Sequence, residues 1–166
     1  MEPCLTLLRL ARGDVTGAVL GIDAALAAAG GPLQRARLLP TKVEASLLAR
    51  SPREAAAAAA ELEETAAAYG SPTLRAAARQ AFGAVALAAG EREEAVVHLV
   101  AAQQLWHETH APYERAQARA LLAEAHLRSG DRESSMVEQR AAHATFKRLG
   151  AEPAAAASAG RLQELE

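Results

Sequence analysis

The sequence predicts an all-α fold: a right-handed superhelix of antiparallel helix pairs, an α-solenoid of about four pairs followed by a C-terminal helix. Three observations predict it. Ala is by far the commonest residue while β-branched and aromatic residues are scarce, and Ala has the best intrinsic helix propensity because it loses no side-chain freedom. A block recurs about every 40 residues: 75–90 (RAAARQAFGAVALAAG) lies over 115–130 (RAQARALLAEAHLRSG). Turn signals fall between the matching blocks, and internal periodicity of 20–50 residues is the mark of stacked helical repeats.

In that alignment Arg75/Arg115, Ala76/Ala116, Ala78/Ala118, Arg79/Arg119, Leu87/Leu127 and Gly90/Gly130 coincide. The second halves match as well, with Glu91-Arg92-Glu93 over Asp131-Arg132-Glu133 and Trp106 over Phe146. Residues 35–50 (RARLLPTKVEASLLAR) share the register more faintly, and residues 10–14 read as the end of a still earlier first helix. The expected units are 3–30, 33–70, 72–110 and 113–150, all within one domain over 1–166. Each is a helix pair: 3–12 with 14–29, 33–49 with 52–69, 72–89 with 91–110, and 113–129 with 131–149. A tail helix, 153–165, follows.

Each boundary has a physical cause. Gly13, Gly90 and Gly130 stand where a helix ends, because Gly takes the left-handed conformation without a Cβ clash. Asp14, Glu91 and Asp131 follow them, suited to the positive end of the next helix. Ser51-Pro52 and Ser71-Pro72 place an N-cap before a Pro at the first helical position, and Pro112 and Pro153 also open helices. Pro40 falls inside a predicted helix and is expected to break or kink it near 36–40. Residues 55–60, all Ala, read as a helix interior flanked by Glu54 and by Glu61, Glu63 and Glu64.

The second helices carry an apolar stripe. Ala95, Leu99, Ala102 and Trp106 lie at i, i+4, i+7 and i+11, one face of a helix. Their counterparts Ser135, Gln139, Ala142 and Phe146 are more polar. The last unit is therefore either a capping repeat or has its face covered by something absent from this chain.

Composition excludes several function classes. A net charge of −2 provides no overall attraction to nucleic acid. No apolar run is long enough to span a bilayer, and Arg9 and Arg12 interrupt the N-terminal apolar stretch, against a signal peptide. The single cysteine, Cys4, forms no intrachain disulfide, compatible with a cytoplasmic protein. Nearly every basic residue is Arg, with Lys42 and Lys147 the exceptions; together with the Ala content this points to a GC-rich bacterial genome.

No catalytic motif is written in the chain. His107 and His110 are i, i+3, a spacing that presents two imidazoles to one metal. They lack an H-E-x-x-H pattern or a Cys pair, and a helix C-terminus favours cationic side chains in any case. No metal site, catalytic residue or cofactor is expected. Glu61, Glu63 and Glu64 read as a solvated face, and Trp106 as a packing residue. Arg75, Arg79, Arg115 and Arg119 recur with the period. They form either an anion-attracting strip or solvent-facing side chains whose stems cover apolar neighbours. If first helices line the concave face, the partner groove comprises Thr41, Gln80, Gln117, Glu124 and Arg128, with Arg79 and Arg119. Such a mixed, small-residue surface suits a peptide or helix.

The spacing of Gly83, Gly90 and Ala95, repeated by Ala123, Gly130 and Ser135, resembles tetratricopeptide-like repeats, though the unit exceeds the usual 34 residues. WHETHAPYERA at 106–116, ATFKRLGA at 144–151 and RLQEL at 161–165 resemble phrases of large bacterial transcriptional regulators of the LuxR type. In those proteins a helical-repeat region joins an N-terminal ATPase to a C-terminal helix-turn-helix. The resemblance implies an interaction and effector-sensing module. Its partners would be a protein, a peptide or a small effector, without direct nucleic-acid or membrane binding by this segment. An unpaired end face is a route to homodimers. This chain has neither the G-x-x-x-x-G-K-[ST] loop nor a basic recognition helix. A self-contained repeat adaptor is the competing expectation, and a small enzyme using histidines is a third.

Overall fold

A computed structural model describes residue 6, residues 8–10 and residues 12–165. Cys4 and much of the expected helix 3–12 lie outside the described residues; residues 6 and 8–10 are helical. The elements that follow are α1 (Val15–Ala28), α2 (Pro32–Ala36), α3 (Leu39–Leu48), α4 (Pro52–Tyr69) and α5 (Pro72–Ala89). After them come α6 (Arg92–Glu108), α7 (Pro112–Arg128), α8 (Arg132–Arg148) and α9 (Glu152–Leu165). There is no strand among the described residues. From α3 onward each helix packs on the next, so the chain stacks as consecutive antiparallel hairpins.

A second layer of contact sets the architecture. α3 touches α5 and α5 touches α7, while α4, α6 and α8 make no comparable contact with one another. The first helices therefore form a closely spaced row, and the second helices splay outside it. This is the stacking expected of a helical repeat solenoid, in which each unit buries its apolar face only against its neighbours.

The interruption at Pro40 is where the sequence places it. Pro40 has no N–H for the carbonyl of Ala36 and its ring crowds that carbonyl. The helix stops at Ala36, Arg37 and Leu38 form a turn, and α3 restarts with Pro40 in its first turn. The N-caps are less uniform than expected. Asp14, Ser71 and Asp131 accept from the backbone N–H of Gly17, Leu74 and Ser134 respectively. Ser51, expected to cap α4, makes no side-chain cap bond.

The turns have a shorter period than the sequence alignment. Besides Gly13, positive φ occurs at Arg50, Gly70, Gly90, His110, Gly130 and Gly150, so that from Arg50 onward a left-handed residue stands at every twentieth position. At five of these turns the next residue's N–H returns to the carbonyl five residues back: Ser51 to Ser46, Glu91 to Ala86, Ala111 to Trp106, Asp131 to His126 and Ala151 to Phe146. This bond satisfies a carbonyl that the helix end leaves open. Arg50 (φ 56°) and His110 (φ 57°) adopt this conformation with a Cβ present.

The core is built mostly of alanines, and a few larger side chains key into it: Ile22, Leu39, Leu62, Leu99, Trp106 and Phe146. The buried residues of α6 are Ala95, Leu99, Ala102 and Trp106, the predicted stripe. Those of α8 are Ser135, Gln139, Ala142 and Phe146. What covers the α8 stripe belongs to the chain itself: α9 packs there, and Gln139 donates to the hydroxyl of Ser158 at 2.9 Å. Gly83 decides the fit of α5 on α6. A Cβ on Gly83 would lie 2.6 Å from Cγ of Leu99, which is fully buried. One unit on, Ala123 stands for Gly83 and Gln139 for Leu99, so the larger residue on the first helix faces an unbranched side chain on the second.

Two outcomes test these points. His110→Gly relieves the left-handed strain and is expected to stabilise the chain by about 0.5–1 kcal/mol, raising the thermal midpoint by about 1–4 °C; an unchanged or lowered midpoint contradicts it. Gly83→Ala is expected to destabilise by about 1–2 kcal/mol, overpacking against Leu99 outweighing the gain in helix propensity. A Gly83→Ala/Leu99→Ala double-mutant cycle should then show the pair losing less than the sum of the singles.

Candidate functional site

The row formed by α3, α5 and α7 carries the residues expected to line a groove, and the structure gives them unequal places. Thr41 on α3 is buried, 9% exposed, and packs inside the fold. Gln80 on α5 is half-buried, and its Oε1 accepts a hydrogen bond from Nε1 of Trp106 at 2.8 Å. Gln117 and Glu124 are half-buried on α7, and Arg128 is exposed near its C-terminus. Arg128 donates to Glu124 Oε1 at 2.8 Å and to the carbonyl of Leu87 on α5 at 2.9 Å. Arg161 of α9 approaches the other Glu124 oxygen at 4.0 Å. Glu124 and Arg128 thus come together, and Arg128 ties α7 to α5.

The periodic arginines have different partners. Arg79 reaches back to Glu63 of α4 at 2.8 Å. Arg119 lies 3.6 Å from Glu138 of α8, which also accepts from Gln103 of α6 at 3.2 Å. Arg115 meets His107 of α6 at 3.2 Å. Arg75 has no hydrogen-bond or ion-pair partner among the described residues. Glu61 and Glu63 are half-buried and bridge to neighbouring helices, so only Glu64 of that trio lies on an exposed face.

Trp106 and Gln80 form a matched pair. The indole N–H is buried with the ring and needs an acceptor, which Gln80 supplies. Forty residues on, Phe146 replaces Trp106 and Ala120 replaces Gln80. Without the N–H no acceptor is required, and Phe146 instead takes Tyr113 edge-on, with ring centroids 5.5 Å apart.

Two polar centres escaped the sequence reading. Lys42 is 8% exposed, and its Nζ lies 2.7 Å from Asp23 of α1 and 2.8 Å from Glu54 of α4. Burial disfavours its charge, but hydrogen bonds to Asp23 and Glu54 outweigh that and raise its pKa above the ordinary lysine value. The signal was available: Lys42 shares its register with Phe82 and Leu122, apolar positions where an ammonium needs a partner. The second centre is Arg35, which donates to Glu61 through two nitrogens (2.5 and 2.9 Å) and to the carbonyl of Leu26 at 2.8 Å. One guanidinium joins α1, α2 and α4. The hydrogen bond from Arg35 holds the Glu61 carboxyl below its ordinary pKa, against a smaller opposing effect of burial.

The histidines are dispersed. His110 sits in the left-handed turn after α6, His98 stacks on Phe82, and Nδ1 of His143 lies 3.1 Å from the Ala155 carbonyl. No three His, Cys, Asp or Glu side chains among the described residues converge to hold a metal ion. No helix of the described residues is long and apolar enough to cross a membrane. No family model matches the chain, and no curated protein matches it.

Trp106→Phe is expected to cost about 1 kcal/mol by stranding the Gln80 acceptor. Adding Gln80→Ala, which copies the Phe146/Ala120 pair, should cost little more; full additivity in urea titrations would refute the pairing. The Glu61 contribution also has a defined pH window. A lowered folded pKa means that its stabilisation is complete above the unfolded value, 4.5, and is lost as pH falls through the folded value. The stability difference between the wild type and Glu61→Gln should therefore be constant near neutrality and shrink progressively below that value; a gap of equal size at pH 7 and pH 3 argues against the assignment.

Proposed function

We propose that this chain is a non-catalytic helical-repeat module of a bacterial transcriptional regulator of the LuxR type. It receives a protein, peptide or small effector on the row of first helices and transmits that event to neighbouring domains. The observation that carries this reading is the distribution of side-chain size across the row. Ala84 and Ala88 on α5 stand between their register equivalents Glu44 and Leu48 on α3 and Glu124 and Arg128 on α7. Small side chains in the middle, with longer polar and apolar ones on either side, support a shallow trough that takes a helix or an extended peptide.

The serial packing supports the second half of the proposal. Each hairpin contacts only its neighbours along the stack, so a small tilt at one interface displaces everything beyond it. Arg128 ties the first helices α7 and α5 through the Leu87 carbonyl, and Arg35 ties α2 to the preceding helix α1 through the Leu26 carbonyl, which provides directional contacts able to carry such a tilt. The phrases at 106–116, 144–151 and 161–165 support placing the module in a regulator with an ATPase on one side and a helix-turn-helix on the other.

The test has two arms. The reading frame of the gene, followed in both directions, is expected to encode an ATPase module upstream and a helix-turn-helix downstream; a frame with neither sinks the regulator assignment. Affinity purification from the native host should enrich a partner with the wild-type protein and lose it with Glu44→Lys/Glu124→Lys. An identical set of captured proteins from both, with unchanged thermal midpoints, sinks the trough.

A further inference from the structure

The Arg35–Glu61 bridge has an incomplete copy one repeat later. Forty residues on, Arg75 occupies the register of Arg35 and Ala101 that of Glu61. The arginine is retained and the carboxylate is missing. In its place lies an open recess of about 370 Å³ between α5 and α6, lined by Arg75, Arg79, Ala101, Gln104, Leu105 and Glu108. Arg75 is exposed and has no partner among the described residues. In the fourth unit Arg115 also faces an alanine register, Ala141, but turns to His107 instead. Among these three equivalent arginines, Arg75 alone combines a missing carboxylate with an unanswered guanidinium.

We propose that this recess receives one aspartate or glutamate side chain of a peptide partner, seated over Ala101 and bonded by Arg75 as Glu61 is bonded by Arg35. A guanidinium presents paired donors that match the two oxygens of a carboxylate. Gln104 also lines the recess and can add an amide donor from α6, and Leu105 offers apolar contact to the methylenes of the incoming residue. The recess is open to solvent, whereas small-molecule sites enclose most of their ligand, so an anchor residue on a longer chain fits it better than a free metabolite. Glu108 in the lining and Glu63, which already holds Arg79, oppose a second negative charge and select a single acidic anchor. The site involves α5 and α6 and stands whether or not the first-helix trough binds a partner.

The experiment follows the Arg75 Nε–Hε and Gln104 side-chain amide signals by NMR. The titrant is a blocked alanine-based peptide carrying one glutamate, against the same peptide with glutamine in that place. The expected result is a saturable shift of both signals with the glutamate peptide, at least tenfold weaker with the glutamine peptide. Ala101→Glu, which supplies the carboxylate internally, should abolish the shift, and Glu108→Gln should tighten binding severalfold. Should Ala101→Glu fail to fold, Arg75→Gln, at an exposed position, must abolish the Gln104 shift instead. Equal response to both peptides, parallel shifts of exposed arginines such as Arg92 and Arg132, or binding that survives both substitutions overturns the proposal.

Discussion

Everything in this structure depends on how closely helices approach across alanine faces. Alanine removes little apolar area from water, so an alanine core stabilises a fold only when backbones come near enough for many small contacts to accumulate. Gly83 under Leu99 is the extreme case: the second helix keys a branched side chain into a space that one added carbon would fill. Larger residues are therefore few and spaced a helical turn or more apart. Each serves as a peg between flat surfaces, as Leu62 does in α4 and Trp106 in α6.

With so little area in each contact, polar ties assume a larger part in fixing the order of the stack. They run between helices: Arg35 to α1 and α4, Lys42 to the same two helices, Arg79 to α4, Arg119 to α8, Arg128 to α5. A half-exposed ion pair adds about 0–1 kcal/mol, so their value lies in orientation. An arginine bound to a last-turn carbonyl accepts only a narrow range of helix placements. Lys42 differs because its side chain is nearly buried, and removing its carboxylates would leave an ammonium without compensation.

Substitution between repeats is coordinated, and this makes the physical logic visible within a single chain. Trp106 with Gln80 becomes Phe146 with Ala120, deleting donor and acceptor together. Leu99 against Gly83 becomes Gln139 against Ala123, and the new amide is answered by Ser158 on α9. The polar stripe of the last second helix thus has its cover within the chain. A buried amide costs several kcal/mol only if left unbonded, and here it helps specify which face of α9 docks.

Local sequence sets the helices, their order and the buried faces. Alanine propensity, Pro and Gly punctuation and the stripe from Ala95 to Trp106 are local properties, and each acts within one or two turns. The break before Leu39 was equally legible, because the steric demand of Pro40 needs no tertiary partner. Which polar group meets which is settled by the packing of distant helices. The 20-residue rhythm of left-handed turns runs through Arg50 and His110, where no glycine announces it, because closure of the hairpin imposes the conformation on whatever residue stands there. Glu61 and Glu63 looked solvated because their partners Arg35 and Arg79 lie 26 and 16 residues away. Thr41 and Gln80 looked available for a partner, yet one packs inside and the other serves Trp106. Periodicity assigns a side chain to a face of its own helix; the neighbouring helix decides whether that face meets water, an alanine or an opposite charge.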